Sequence, residues 1–180
     1  MLLAQNATTQ IGGEELIEQW QTNDETTLWL DISEMPHVEE EELLKRFNCH
    51  PLAISDAMRD RHPPKIELFD DYIFILYRGI LSCDRQLNFK HLQISMFIGK
   101  RVIITRHVKP SKAIDSLFNG EGEKFMKRST AHLALRIFHT SCGLYLQELF
   151  KFESELEKLK DQFHNRDKDA LLRQLTKYQS

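Results

Sequence analysis

The stretch that decides the fold is residues 72–78, which read Tyr-Ile-Phe-Ile-Leu-Tyr-Arg. Six apolar or aromatic residues in succession leave no polar face for water, which is typical of a β-strand covered on both faces. A strand of this kind lies in a sheet that carries helices on both sides. The segment therefore predicts an α/β domain with this strand at the centre of its sheet.

Further strand-like segments lie on either side of this one. Residues 65–69 precede it, and residues 92–98 and 101–105 follow it. Gly99 and Lys100 join the last two segments in a pattern typical of a β-hairpin with one face in the core. Nearer the N-terminus, residues 28–32 read Leu-Trp-Leu-Asp-Ile and predict another short buried strand.

Short helices are predicted between these strands, at residues 14–21, 39–47, 51–60 and 110–118. Acidic residues from Glu39 onward suit the first turn of a helix, where they complement the helix dipole. Pro51 also suits a first turn, because its missing N–H leaves no hydrogen bond unmade there. Residues 120–124 predict an open connection after the last of these helices.

From Ser129 the pattern becomes that of one long helix with an apolar seam. The seam residues step by four and three, and they are Phe138, Cys142, Tyr145, Leu149, Phe152, Leu156, Leu159 and Phe163. After an interruption at residues 165–167, a second apolar stripe begins with Leu171, which favours a helical hairpin over a coiled coil between subunits. We predict an α/β part at residues 1–128 and a helical hairpin at residues 129–180, whose second helix continues past Ser180.

Composition and motifs exclude several classes of function. The 180 residues have a formal net charge of -3 and scattered basic residues, so nucleic acid is not an expected partner. The longest apolar run is far shorter than the roughly 20 residues of a membrane-spanning helix, and the chain as given is expected to be soluble. Three cysteines without a Cys-x-x-Cys pair fit a reducing compartment. The motifs of common enzyme classes are absent, so the chain is not expected to be an enzyme.

Five segments follow one another in a recognisable order between Leu28 and Thr105. They are Trp29-Leu-Asp31-Ile, Pro36 with the helix ending at Phe47, His50-Pro-Leu with Asp56, Pro64-Lys65 leading to Phe69-Asp-Asp-Tyr72, and the apolar strand. Together they resemble the cytosolic domain of the CorA family of divalent-cation transporters. The resemblance implies a mixed β-sheet flanked by helices and followed by a long helical hairpin beside a stalk helix.

The same resemblance implies a cation-sensing and gating domain of a Mg²⁺/Co²⁺ transporter. The full-length protein would be a homopentamer on the cytoplasmic face of the cell inner membrane, held there by C-terminal helices that lie beyond this sequence. Divalent cations between neighbouring subunits would favour the closed state. A zinc-transporting relative of the same superfamily and a soluble interaction protein that reuses the fold are the alternatives.

Three aspartates are the candidate metal ligands. By the resemblance, Asp84 falls within one residue of the family's acidic residue at a metal site between subunits, and Asp70 and Asp71 match acidic positions in the family pattern. Mg²⁺ takes oxygen ligands, keeps several waters and needs only one or two carboxylates. Because the partner carboxylate is expected on the stalk helix, regulatory Mg²⁺ should bind weakly to this fragment, with Co²⁺ as a second candidate. A turn role is the alternative for each aspartate.

A zinc site is the other metal hypothesis that the sequence allows. His132, His139 and Cys142 share the long helix at spacings of seven and three. Zinc accepts such ligands, but a fourth ligand has no obvious position. Cys142 also lies on the apolar seam, where a free cysteine is expected to be a small buried side chain. The pattern therefore favours packing over zinc binding.

Overall fold

The computed structural model describes residues 2–5, 8–84 and 88–165. Within them the strands are β1 (Leu2–Gln5), β2 (Thr8–Ile11), β3 (Thr26–Ser33), β4 (Lys65–Leu68), β5 (Tyr72–Cys83), β6 (Phe89–Gly99) and β7 (Val102–His107). The helices are α1 (Glu15–Thr22), α2 (His37–Arg46), α3 (Pro51–Met58), α4 (Lys112–Phe118), α5 (Gly122–Met126) and α6 (Thr130–Asn165).

The strands form one sheet in the order β2-β1-β3-β7-β6-β5-β4. Strands β3 and β7 pair in parallel, and the other neighbours pair antiparallel. Helices α1, α2 and α3 contribute Ile17, Leu44 and Ile54 to the core on one face. Helices α4, α5 and α6 cover the other face with residues such as Ile114 and Ile137. This arrangement confirms the predicted mixed sheet flanked by helices.

Strand β5 is second from one edge of the sheet, so its predicted central position is wrong. Phe74 and Leu76 are fully buried as expected, whereas Ile73, close to the short edge strand β4, is 39% exposed. The apolar run identified a strand with helices on both faces. It carried no information about how many strands lie beyond it.

Strands β5 and β6 continue past the rest of the sheet as a two-stranded ribbon. Strand β4 reaches β5 only as far as Leu76, and β7 reaches β6 only as far as Ile94. Residues 78–83 and 89–93 therefore pair only with each other among the described strands, with an irregularity between Ile80 and Ser82. We call this two-stranded extension the ribbon. Asp84 lies at its far end.

The segment predicted as an open connection contains helix α5. It begins at Gly122, which lies directly against Trp29 and the carbonyl of Leu117. A Cβ atom at this position would lie 2.6 Å from the Leu117 oxygen and 2.7 Å from the Trp29 ring. Glycine is therefore required here by the close approach of the helix to the sheet.

Helix α6 packs on the sheet through only part of the predicted apolar seam, since Phe138 stacks on Tyr77 and Tyr145 bonds to the ribbon. Leu133, Ala134 and Ile137 are buried in its first turns, whereas the seam residues Cys142 and Leu149 are exposed. The expectation of a buried Cys142 is therefore wrong. The predicted second helix from Leu171 lies outside the described residues. Among the residues that are described, no helix combines the length and apolar character needed to cross a membrane.

Candidate metal site

The candidate metal ligands lie at opposite ends of β5. Asp70 and Asp71 precede the strand, and Asp84 follows it. A strand of this length spans roughly 35–40 Å, since each residue advances about 3.3 Å. The structure therefore does not bring the three aspartates together in one site.

Asp84 closes the far end of the ribbon. Its two carboxylate oxygens accept hydrogen bonds from Asn88, one from the backbone N–H and one from the side-chain amide, each at 2.9 Å. The Asp84 N–H donates to the Asn88 carbonyl at 3.4 Å. The two bonds from Asn88 hold the exposed Asp84 carboxylate in a fixed direction, which is consistent with the turn role considered from the sequence.

A second acidic side chain, Glu148 of α6, lies near this end of the ribbon. Partial burial raises the pKa of the neighbouring Cys83 thiol, and the negative charges of Glu148 and Asp84 raise it further. Glu148 also forms an ion pair with Lys151 at 2.7 Å. Sequence reasoning missed Glu148 because nothing local distinguishes it from the other acids along α6.

Asp70 and Asp71 occupy the turn between β4 and β5. The turn is closed by the Phe69 N–H, which donates to the Tyr72 carbonyl at 2.9 Å. Both aspartates are exposed. No hydrogen bond or ion pair engages either carboxylate within the described part of the chain, so the expected side-chain bonds to local N–H groups are not found.

The described residues do not assemble a complete metal site. No group of three or more His, Cys, Asp or Glu side chains in the described ranges is placed to hold a metal ion. His132 instead contacts Ser129, and His139 contacts Arg136. A carboxylate such as that of Asp84 is the kind of oxygen ligand that Mg²⁺ accepts.

The most buried charged groups lie near the C-terminal ends of the two parallel strands, β3 and β7. Arg106 of β7 forms an ion pair with Glu40 of α2, with a second contact at 3.2 Å, and donates to the Ala57 carbonyl at 2.8 Å. Both side chains are almost fully buried. The pair ties α2 and α3 to the sheet, which is a structural role.

His107, the next residue of β7, contacts an acceptor with each ring nitrogen. Nδ1 lies 2.7 Å from the Lys109 carbonyl, and Nε2 lies 3.2 Å from a carboxylate oxygen of Asp31. Burial alone would lower the pKa of His107, but the hydrogen bond and charge of Asp31 raise it above its usual value. Thr105 also donates to Asp31, at 2.5 Å. Asp31, which lies within β3, therefore has an architectural role.

Asp56 of α3 has a comparable role near the edge strand. It forms ion pairs with Lys65 and His62. Partial burial would raise the pKa of Asp56, but the Lys65 ammonium beside it holds the pKa below its usual value. These contacts fix the segment between α3 and β4.

With this geometry established, comparisons with known proteins identify the family. The family model described as CorA-like Mg²⁺ transporter protein matches residues 24–180. The chain belongs to this CorA-like family. A curated relative, the putative metal ion transporter YfjQ of Bacillus subtilis, is 21% identical over 147 residues, which cover 81% of this chain and 45% of YfjQ. The CorA-like chain thus spans less than half of that relative's length.

Solved structures share the fold of this CorA-like chain. The full-length CmaX protein matches with a TM-score of 0.78 at 14% identity, over 97% of this chain and 55% of CmaX. The CorA magnesium transporter of Methanocaldococcus jannaschii matches with a TM-score of 0.65 at 19% identity, over 84% of this chain and 48% of that protein. The ZntB cytoplasmic domain of Vibrio parahaemolyticus matches with a TM-score of 0.60 at 15% identity, over 98% of this chain and 69% of that domain.

Proposed function

We propose that this CorA-like chain is the cytosolic cation-sensing and gating domain of a Mg²⁺/Co²⁺ transporter. The observation that carries the proposal is the position of Asp84, whose oriented carboxylate lies exposed at the end of a ribbon that extends beyond the sheet. A carboxylate at this position can reach a metal ion that is shared with a neighbouring subunit. The family match over residues 24–180 supports the transporter assignment.

The proposed mechanism is a population shift between closed and open subunit arrangements. A cation that Asp84 shares with a neighbouring subunit binds better when the two subunits are close together, so it favours that arrangement. When the cation leaves, the uncompensated carboxylates repel each other and the arrangement loosens. The domain then transmits the loss of cytosolic Mg²⁺ to a pore formed elsewhere in the protein.

The proposal includes assembly and location. We infer a homopentamer on the cytoplasmic face of the inner membrane for the full-length protein, with membrane contact made by segments other than the described residues. Residues 1–180 alone should be monomeric or weakly associated, because small interfaces seldom outweigh the entropy lost on association. Sedimentation that shows a tight pentamer at micromolar concentration would contradict this.

Calorimetric titration with Mg²⁺ and Co²⁺ tests the cation site. Residues 1–180 should bind Mg²⁺ weakly, on the order of millimolar, because one exposed carboxylate gains little from a strongly hydrated ion. Asp84→Asn should remove most of this binding, and Asp161→Asn, a change of the same kind at an exposed position on α6, should leave it unaltered. Thermal unfolding of each variant checks that the fold is retained.

Three outcomes would contradict the proposal. Micromolar Mg²⁺ binding to residues 1–180 would mean that a complete site lies within this chain. Equal binding by the wild type and Asp84→Asn would mean that Asp84 is only a turn residue. Titration with Zn²⁺ tests the zinc-transporting alternative, which would be favoured if Zn²⁺ bound far more tightly than Mg²⁺ and independently of Asp84.

A further inference from the structure

A cleft of about 530 Å³ lies along the ribbon, from Arg78 and Gln93 at its base to Phe89 near its far end. The ribbon forms one side, and the loops after α3 and β7 form the other. The basic residues that line it are Arg61, Arg78, Lys90, His91 and Lys109. Asp60 is the single acid among its described lining residues. We call this feature the basic cleft.

No carboxylate in the described part of the chain forms an ion pair with a cation of the basic cleft. Other cations, such as Arg101 and Arg106, form ion pairs with aspartate or glutamate. Within the described ranges, no such ion pair involves any of the four cleft cations, which are Arg61, Arg78, Lys90 and Lys109. The cleft thus concentrates positive charge in a chain whose net charge is -3.

Local contacts hold parts of the basic cleft in position. The Arg78 guanidinium donates to the Arg61 carbonyl at 3.4 Å, so the arginine reaches from the ribbon towards the α3 loop. The Tyr145 hydroxyl donates to the Arg78 carbonyl at 2.9 Å and lies 3.3 Å from Nδ1 of His91. The Arg78 side chain is therefore directed towards the α3 loop by an uncharged acceptor, which does not cancel its charge.

The chemistry of the basic cleft matches a phosphate group. The positive side chains lie beside an apolar wall that is formed by Leu81, Leu92 and Val108. Such a concave, low-dielectric surface strengthens the positive electrostatic potential inside the cleft. Arginine binds phosphate oxygens in a fork geometry, and lysine adds a point charge. The volume lies within the range of about 300–1,000 Å³ that is typical of small-ligand sites. One confined cleft, rather than a long basic stripe, does not suit a nucleic acid strand.

We propose that the basic cleft binds a small, soluble phosphate-bearing ligand. Arg78 and Lys90 hold its oxygens from the ribbon, and Arg61 and Lys109 hold them from the loops. This inference goes beyond the proposed cation sensing, since the cleft takes an anion and Asp84 is not among its lining residues. The bound ligand would also bridge the ribbon to the body of the domain.

The test is calorimetric titration of residues 1–180 with sodium pyrophosphate in buffer free of divalent cations. We expect saturable binding of one pyrophosphate, with a dissociation constant on the order of 0.1 mM at low ionic strength. Binding should weaken strongly in 0.5 M salt because salt screens the charges, the Debye length being about 10 Å already at 0.1 M. The double variant Arg78→Gln/Lys90→Gln should bind at least about tenfold more weakly. The control Lys100→Gln/Lys112→Gln removes the same charge outside the cleft and should bind as the wild type does.

Four results would overturn the inference. The first is no saturable binding up to about 10 mM pyrophosphate, well above the affinity expected for charge-assisted contacts. The second is equal weakening by the control variant, which would indicate general attraction to positive charge. The third is equal competition by sulfate, which would indicate an unselective anion site. The fourth is binding to phosphatidylglycerol vesicles without binding to pyrophosphate, which would indicate a membrane surface as the partner.

Discussion

Removing one partner of the buried ion pair between Arg106 and Glu40 should destabilise the domain far more than removing both. The two side chains are 4% and 3% exposed, so neither charge can return to water when its partner is lost. Breaking a buried pair in this way costs about 3–5 kcal/mol. We expect Glu40→Leu and Arg106→Met each to lower the free energy of unfolding by an amount at the lower end of this range. Both residues line a cleft of about 380 Å³, through which water can approach the remaining charge.

The double variant Glu40→Leu/Arg106→Met should recover most of this loss. It leaves no unpaired charge, and its remaining defect is the hydrogen bond from Arg106 to the Ala57 carbonyl. That carbonyl also accepts from Gln93 at 3.1 Å, so it stays bonded. The residual cost should be about 0.5–1.5 kcal/mol, the usual net value of one hydrogen bond.

Urea unfolding of the wild type, both single variants and the double variant completes the cycle. The two single costs together should exceed the double cost by about 5 kcal/mol, because each single variant buries an uncompensated charge. Single variants that each lose less than about 1 kcal/mol would refute this reasoning. They would show that water reaches the pair and that it behaves as a surface ion pair.

Three further outcomes are expected. Phe74→Ala should cost about 3–5 kcal/mol in chemical denaturation, because Phe74 is fully buried, and a loss below about 1 kcal/mol would contradict its place in the core. Gly122→Ala should cost about 1–3 kcal/mol, because the new Cβ clashes with Trp29 and a backbone carbonyl; an unchanged melting temperature would refute the contact. The pKa of His107 is raised above its usual 6.5 by Asp31, so its stabilisation should be complete below that pH and lost as pH rises through the raised pKa. Urea unfolding between pH 5.5 and 9, in steps of about one unit, should show this loss in the wild type and not in His107→Gln.

Much of the fold followed from local patterns in the sequence. The apolar run of β5 and Pro51 at the start of α3 are local signals, and the structure has both elements where they were predicted. Strands β1 and β2 were missed because residues 5–10 are mostly polar and carry no strand-like apolar pattern. The ribbon was missed because residues beyond Arg78 are partly polar and are paired on one side only. The apolar seam of α6 was assigned to packing from its periodicity. Periodicity shows that an apolar stripe exists, but it does not show which part of the protein covers that stripe.

The charged groups were harder to predict because they meet through tertiary contacts. Asp31 and His107 are 76 positions apart and come together only when β3 pairs with β7. The cations of the basic cleft are likewise spread from Arg61 to Lys109, so the sequence reads as scattered charge where the fold collects it. Asp84 was singled out by the family resemblance alone, because the predicted strand ended at Arg78, and its bonds to Asn88 were not predicted.

The parallel pairing of β3 with β7 has a consequence for the order of folding. Leu28 is registered against Val102, so nearly all of the α/β part must be synthesised before the middle of the sheet can form. The antiparallel strands β4 to β7 are close in sequence and can pair first, whereas the closure of the long loop between β3 and β7 is entropically costly. We expect a late step in which β1, β2 and β3 dock onto a preformed meander. Until then the open edge of β7 is exposed to unintended partners on the ribosome.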